Sequence, residues 1–328
     1  MIISRTPMRI PLGGGGTDIV SYSSRFGGFI ISAAIDKYSF ITVHPRPLDS
    51  RIRASYSQTE IVRTADEIKH NLIREALRLT GIRDGVEILS LADVPGGSGM
   101  GTSGCFTVGL LNALHRLKGE RPSQVELAEE ACKIEIEILG EPIGKHDQYV
   151  TALGGVTCLE IDPSGAVKSY PARIHPDVME EFERNILLFY TGIARSASEV
   201  LAEQSKATDD DDSIVLASLH RIKEIGWEVK KALEAGDLNR FGRLLDDHWQ
   251  VKKRLSDKVS SGQIDQWYAA ARENGALGGK IMGAGGGGFF MLYCEDNKAR
   301  LRKTMAEQGL IEMRFRFDFQ GTTVMLNV

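Results

Sequence analysis

Between residues 29 and 43 apolar, β-branched and aromatic side chains follow one another almost unbroken, Phe29-Ile-Ile-Ser-Ala-Ala-Ile-Asp-Lys-Tyr-Ser-Phe-Ile-Thr-Val43, a density that predicts one or two strands. The period then turns helical: Ile68, Leu72, Ile73, Ala76 and Leu77 recur at helical spacing and Gly81 ends the run. Residues 86–91 read as a strand, 95–102 as a loop and 103–117 as a buried helix. Ser123-Gln-Val-Glu126 forms a capping box that opens a helix to about Leu139, where Gly140 and Pro142 stop it. Short strands follow near 156–161 and 185–190. The pattern then lengthens into amphipathic helices over about 195–206, 213–235 and 237–256, with another near 262–273. A strand at 289–293, a helix to about Gln308 and strands at 311–318 and 322–327 complete the chain. The order predicts a mixed α+β protein, and 328 residues allow two domains, with a boundary near 175–185. Asp209 to Asp212 read as a solvated turn before a helix N-terminus, where acidic residues suit the dipole.

Composition narrows the class. With 42% apolar and 26% charged residues and no long biased tract, the chain is of globular type. Forty basic against 44 acidic residues leave a net charge of −4, which gives no electrostatic footprint for nucleic acid or an anionic membrane surface. Small molecules are the expected partners, and a local basic pocket for a small anion is compatible with that balance. Cys105, Cys132, Cys158 and Cys294 lie far apart without zinc or disulfide spacing, so a reducing cytoplasm is expected. No stretch approaches the roughly 18 apolar residues of a membrane span, and the start lacks the apolar core of a leader.

Glycine changes the picture most. Sixteen of the 35 glycines fall in three segments, 13–16, 96–104 and 278–288, placing bare backbone where a ligand or another segment must come close. The second segment, Val94-Pro-Gly-Gly-Ser-Gly-Met-Gly-Thr-Ser-Gly104, lies between a predicted strand and a buried helix. Amides of such a turn, joined to the free N–H groups of the helix start, cradle phosphate oxygens. Gly99-Met-Gly-Thr-Ser-Gly104 formally fits the dinucleotide pattern, but so does Gly283-Ala-Gly-Gly-Gly-Gly288, and Glu126 lies inside a helix instead of at the strand end where a ribose-binding carboxylate belongs. The Walker sequence is absent, as are the HRD and DFG elements of protein kinases.

Three spaced segments together resemble the GHMP small-molecule kinase superfamily, named for galactokinase, homoserine kinase, mevalonate kinase and phosphomevalonate kinase. They are Arg5-Thr-Pro-Met-Arg9-Ile-Pro-Leu-Gly-Gly-Gly-Gly-Thr17-Asp18, the 95–103 loop, and Lys280-Ile-Met-Gly-Ala-Gly-Gly-Gly-Gly288. The first departs from the galactokinase form, with glycines in place of Gly-Glu-His. Its Gly14-Gly-Gly-Thr-Asp18, with Tyr22 and Gly27-Gly28, is most similar to the branch acting on D-glycero-D-manno-heptose 7-phosphate. The resemblance implies a two-domain fold: residues 1–180 like the second domain of ribosomal protein S5 and carrying the ATP site, and residues 181–328 ferredoxin-like. It implies ATP-dependent phosphorylation of a sugar, with a sugar 1-phosphate product feeding nucleotide-activated heptose and surface glycans. A kinase for another sugar such as fucose and a catalytically silent ligand sensor are the alternatives, and the oligomeric state, a homodimer included, is left open.

The same resemblance distributes roles. ATP falls to Pro95, Gly96, Gly97, Ser98, Gly99, Met100, Gly101, Thr102 and Ser103, and the sugar to Gly14, Gly15, Gly16, Thr17 and Asp18, closed by Gly285 and Gly286. Mg2+ falls to Ser103, with Thr102 its rival, and to Glu135, which stands twelve residues before Asp147-Gln148. On residues alone Glu135 is a helix glutamate at the margin of a buried stripe and Asp147 a helix N-cap; by resemblance Asp147 is catalytic and Arg9 keeps it ionised. A distal phosphate on the sugar would need cations, for which Arg25, Lys37, Lys145, His146 and Arg195 are candidates.

Overall fold

The computed structural model describes residues 1–193 and 197–328. The chain begins with β1 (Ile2–Gly13), α1 (Val20–Phe26), β2 (Gly28–Pro45), β3 (Ile52–Ser55), β4 (Thr59–Val62), α2 (Asn71–Thr80) and β5 (Val86–Ala92). It continues through α3 (Thr102–Leu117), α4 (Gln124–Cys132), α5 (His146–Leu153), β6 (Val156–Ile161), β7 (Val167–Pro171), α6 (Pro176–Asn185) and β8 (Ile186–Tyr190). Then come α7 (Ala197–Asp209), α8 (Ser213–Ala235), α9 (Leu238–Lys252), α10 (Gly262–Glu273), β9 (Gly278–Ile281), β10 (Phe289–Tyr293), α11 (Lys298–Glu307), β11 (Ile311–Met313) and β12 (Thr323–Asn327).

The apolar run at 29–43 is one strand. Its first part pairs with β6, its last part with β5, and β1 pairs along the opposite edge. The larger sheet has the order β12-β1-β2-β5-β3-β4, with β6 and β7 beside the start of β2. From Thr6 onward β1 is buried on both faces, because α3 packs on one side and α8 on the other. That double cover lets an Arg on this strand sit dry. The smaller antiparallel sheet has the order β11-β8-β10-β9. Met8, Ile10 and Leu12 of the first sheet share a core with Leu188, Met291 and Tyr293 of the second and with Phe241 and Leu245 of α9. Each such side chain contributes about 1.5–3 kcal/mol of burial.

Helix ends follow the sequence chemistry. Gly81 closes α2 at φ 71°, its N–H donating to Leu77 and Arg78, and Asp212 caps α8 through the amides of Ile214 and Val215. The capping box at Ser123 and Glu126 is formed on both sides. Two expectations are corrected. The helix expected to reach Leu139 is α-helical only to Cys132 and then takes a π turn over Lys133–Ile138, in which Leu139 N donates to Ile134 O at 3.0 Å. The strand expected at 311–318 is formed only over Ile311–Met313; past it a lone bridge joins Phe317 to Ile35. The last strand leaves its neighbours in sequence and pairs with β1, Ile2 opposite Asn327.

Candidate active site

Where β1 leaves the sheet, Thr17 Oγ1 donates to Gly14 O (2.8 Å) and accepts from Phe29 N (3.2 Å), so Thr17 and Gly14 are spent on folding the turn. Gly15, Gly16 and Asp18 are left facing a cavity of about 300 Å3. The 95–103 loop forms another wall through Gly97, Gly99, Gly101, Thr102 and Ser103, the last two opening α3. Pro95 and Gly96 are exposed outside it; Met100 is buried in the core, and its carbonyl accepts from Arg9 N at 3.1 Å. Gly99 has φ +77°, and a Cβ there would lie 2.8 Å from Met282 O: only glycine lets the third segment lie against this loop. Ser98 helps hold that contact by accepting Phe289 N at 3.2 Å. Gly285 and Gly286 face Val259, whose carbonyl accepts Gly286 N at 2.8 Å, and it is Gly283 and Ala284 that reach the cavity.

Four titratable groups form a chain along the cavity wall. Arg9 Nε donates to Asp147 Oδ1 at 2.7 Å, Arg9 Nη2 lies 2.6 Å from the same oxygen, and Nη1 donates to Gly99 O at 2.6 Å. His146 Nε2 is 2.8 Å from Asp147 Oδ1 as an ion pair and not an aligned hydrogen bond. On its other side Asp18 Oδ2 accepts both His146 N (3.0 Å) and Nδ1 (2.7 Å). Burial alone would raise Asp147, but the charges of Arg9 and His146 overcome it and hold the carboxyl well below the usual carboxylate range. Burial would lower His146, yet Asp147 and Asp18 push it up to about 9. Asp18 is likewise held below its ordinary value, burial being outweighed by His146.

Glu135 is not at the margin of a buried stripe: it is 1% exposed, aimed inward by the π turn, and accepts Gln148 Nε2 at 3.0 Å. Burial pushes it up to about 7, against the pull of Gln148, Ser103 and Thr107, while Asp147 adds repulsion. The fold thus brings Arg9, Asp18, Ser103 and Asp147, scattered over the first 147 residues, around one cavity, whereas Glu135 does not line it and is joined to it through Ser103 and Gln148.

Of the described cations considered for a distal phosphate, only His146 lines the cavity. Arg25 pairs with Asp211, Lys37 with Asp36, Lys145 donates to Gly165 O, and Arg195 lies outside the described residues. Sequence reasoning missed His248 and Lys252, and assigned Lys280 no role; all three reach the cavity. A signal existed, since His248 and Lys252 fall on the apolar register of α9 with Leu245 and Trp249. Among the described residues no helix is long and apolar enough to cross a membrane, and no group of three or more His, Cys, Asp or Glu side chains is arranged to hold a metal.

Residues 57–155 match the GHMP kinases N terminal domain family and residues 229–309 the GHMP kinases C terminal family. The chain is 30% identical over 333 residues to D-glycero-alpha-D-manno-heptose 7-phosphate kinase of Campylobacter jejuni, covering 98% of this chain and 97% of that protein. It is 29% identical to L-fucokinase/L-fucose-1-P guanylyltransferase of Bacteroides fragilis, where 94% of this chain corresponds to 36% of the longer protein. The crystal structure of a D-glycero-D-manno-heptose 1-phosphate kinase from Bacteriodes thetaiotaomicron superposes with a TM-score of 0.82 at 24% identity over the whole of both chains. A two-domain fold with both family halves in order, a glycine-rich loop at a helix start beside an Arg–Asp pair, and a full-length relative at this identity lead to one conclusion: the chain belongs to the GHMP kinase family, and is an ATP-dependent phosphotransferase acting on a sugar hydroxyl.

Proposed function

We propose that this enzyme phosphorylates the anomeric hydroxyl of D-glycero-D-manno-heptose 7-phosphate, giving the 1,7-bisphosphate as a step towards nucleotide-activated heptose. The observation that carries the reading is the Arg9–Asp147–His146–Asp18 chain, which sets a carboxylate for the attacking hydroxyl one residue from a carboxylate suited to neighbouring sugar hydroxyls. The heptose assignment is supported by the full-length relative. In this mechanism amides of the 97–103 loop and the start of α3 hold the phosphates, Asp18 orients the sugar, and Asp147 aligns the hydroxyl and takes its proton as the new bond forms. Arg9 offsets charge on the transferred group. The four cysteines, all buried and free, suit a cytoplasmic location, where ATP is supplied.

Magnesium fits the residues present. The Glu135 carboxylate, the Ser103 hydroxyl and the buried, unpartnered Oε1 of Gln148 are all oxygen donors, and among the described residues no cation is paired with Glu135. When bound, the ion would neutralise phosphate charge. Ser103→Ala and Glu135→Gln are each expected to raise the Mg2+ concentration for half-maximal rate by about tenfold or more. Unchanged Mg2+ titrations in both variants would move the site to Thr102 and Glu137.

A coupled ADP-release assay over a sugar panel tests the substrate. The heptose 7-phosphate is expected to exceed unphosphorylated heptose, galactose and fucose by about 10² in kcat/KM, because binding energy from the remote phosphate fixes the reacting end. Fucose is the second reading, favoured by the fucokinase relative, and a higher kcat/KM on fucose would establish it. No ADP release with any sugar would point to a silent sensor, against which the complete Arg9–Asp147 pair argues.

A further inference from the structure

His248, Lys252 and Lys280 reach the cavity from the second half of the chain and are 2%, 8% and 1% exposed. His248 and Lys252 stand one turn apart on α9, and Lys280 lies on β9, against which α9 packs. An ammonium has three donors. Lys252 Nζ donates to Ile281 O (3.1 Å) and Gly283 O, and Lys280 Nζ to Leu12 O (3.2 Å). One proton of Lys252 and two of Lys280 therefore have no acceptor among the described residues, and neither imidazole nitrogen of His248 has a partner.

Among the described residues no carboxylate is paired with any of the three. The charges acting on His248 are Lys280 and Lys252; Arg9 acts on Lys252, and Lys252 and Arg9 act on Lys280. Burial, with that repulsion added, pushes Lys252 down to about 7 and the other two below their ordinary values. Buried basic groups with spare donors and no counter-ion are costly in the empty protein and complementary to an anion that enters. The nucleotide phosphates have a cradle of their own in the 97–103 loop and the start of α3. Lys280, in contrast, is tied to Leu12, just before the turn that carries Asp18 on the sugar side.

We infer that His248, Lys252 and Lys280 form the pocket for a phosphate monoester carried by the acceptor, an inference that rests on the sugar-phosphate reading above. The ligand enters as a dianion, takes the free ammonium protons and a proton-bearing imidazole nitrogen, and is thereby held at a fixed distance from Asp147. The pocket would give a chain whose other described candidate cations already have partners the means to recognise a phosphorylated sugar.

The test uses Lys252→Met and His248→Gln in the full-length enzyme. For each, kcat/KM is measured with heptose 7-phosphate and with unphosphorylated heptose, together with KM for ATP. Loss of one charge-assisted contact is expected to lower the preference for the phosphorylated sugar roughly tenfold to a hundredfold, with little change in KM for ATP. A preference that survives in both variants while KM for ATP rises assigns the cations to the nucleotide and overturns the inference. Inorganic phosphate provides a measurement on the wild-type enzyme that needs no folded variant. It should compete with heptose 7-phosphate at saturating ATP, and competition against ATP alone would overturn the pocket. A wild-type enzyme indifferent to the sugar's phosphate overturns substrate and pocket together, whereas wild-type preference with an intact ratio in both variants overturns the pocket only.

Discussion

Asp147→Asn loses at least about 10² of kcat, about 2.7 kcal/mol of transition-state stabilisation, while binding of Mg·ATP is nearly retained. The amide keeps the shape of the side chain, and its oxygen still accepts Arg9 Nε, so the loop that Arg9 holds through Gly99 O stays in place. What disappears is the negative charge between Arg9 and His146 and the capacity to take a proton. In the wild-type enzyme Asp147 is held well below the usual carboxylate range, so it is ionised throughout the neutral region and is a weak base. Two consequences follow. No acid limb of the kcat profile between about pH 5 and 8 belongs to Asp147, and most of its effect comes from aligning the hydroxyl and balancing charge, with proton transfer late. A folded Asp147→Asn enzyme that keeps more than a tenth of wild-type kcat removes Asp147 from the chemistry.

The parts of this site that were legible in sequence are those that advertise themselves locally. Glycine segments, the strand-like run before Val43 and the capping box at Ser123 depend on neighbours in sequence, and the structure forms each of them. Arg9, Glu135 and Asp147 were named by likeness to known motifs; periodicity alone left Asp147 a helix cap and Glu135 half outside. The π turn that carries Glu135 inward leaves no mark in a pattern of apolar and polar positions, because one widened turn shifts the register by a single residue. Contacts between distant segments were also illegible. His146 gains its role only because Asp18, 128 residues away, accepts its ring, and β12 pairs with a strand more than 300 residues earlier. Lys252 and His248 carried the one readable anomaly, polar residues on an apolar stripe, which an amphipathic reading averages away.

The largest effect expected away from a charged residue is at Gly144, which stands two residues before His146 and faces Asp18. A Cβ built there overlaps Cγ and Oδ2 of Asp18. The Asp18 side chain is short, 2% exposed and fixed by two hydrogen bonds to His146, so it cannot swing aside without breaking them. Gly144→Ala therefore displaces either Asp18 or the entry to α5, and a shift of about 1 Å in a positioned group costs about 10² in rate. The loss should appear in kcat/KM for the sugar. The affinity for Mg·ATP should change little, because Gly97, Gly99 and Gly101 are on a different wall. Freed from Asp18, His146 loses one of the two carboxylates that raise it to about 9, so its proton comes off at lower pH than in the wild type. NMR titration of the His146 ring reads that change directly. A Gly144→Ala enzyme with more than a tenth of wild-type kcat/KM and an unshifted His146 titration would show that Asp18 is not held as described, and with it the sugar-orienting role of Asp18 would fall.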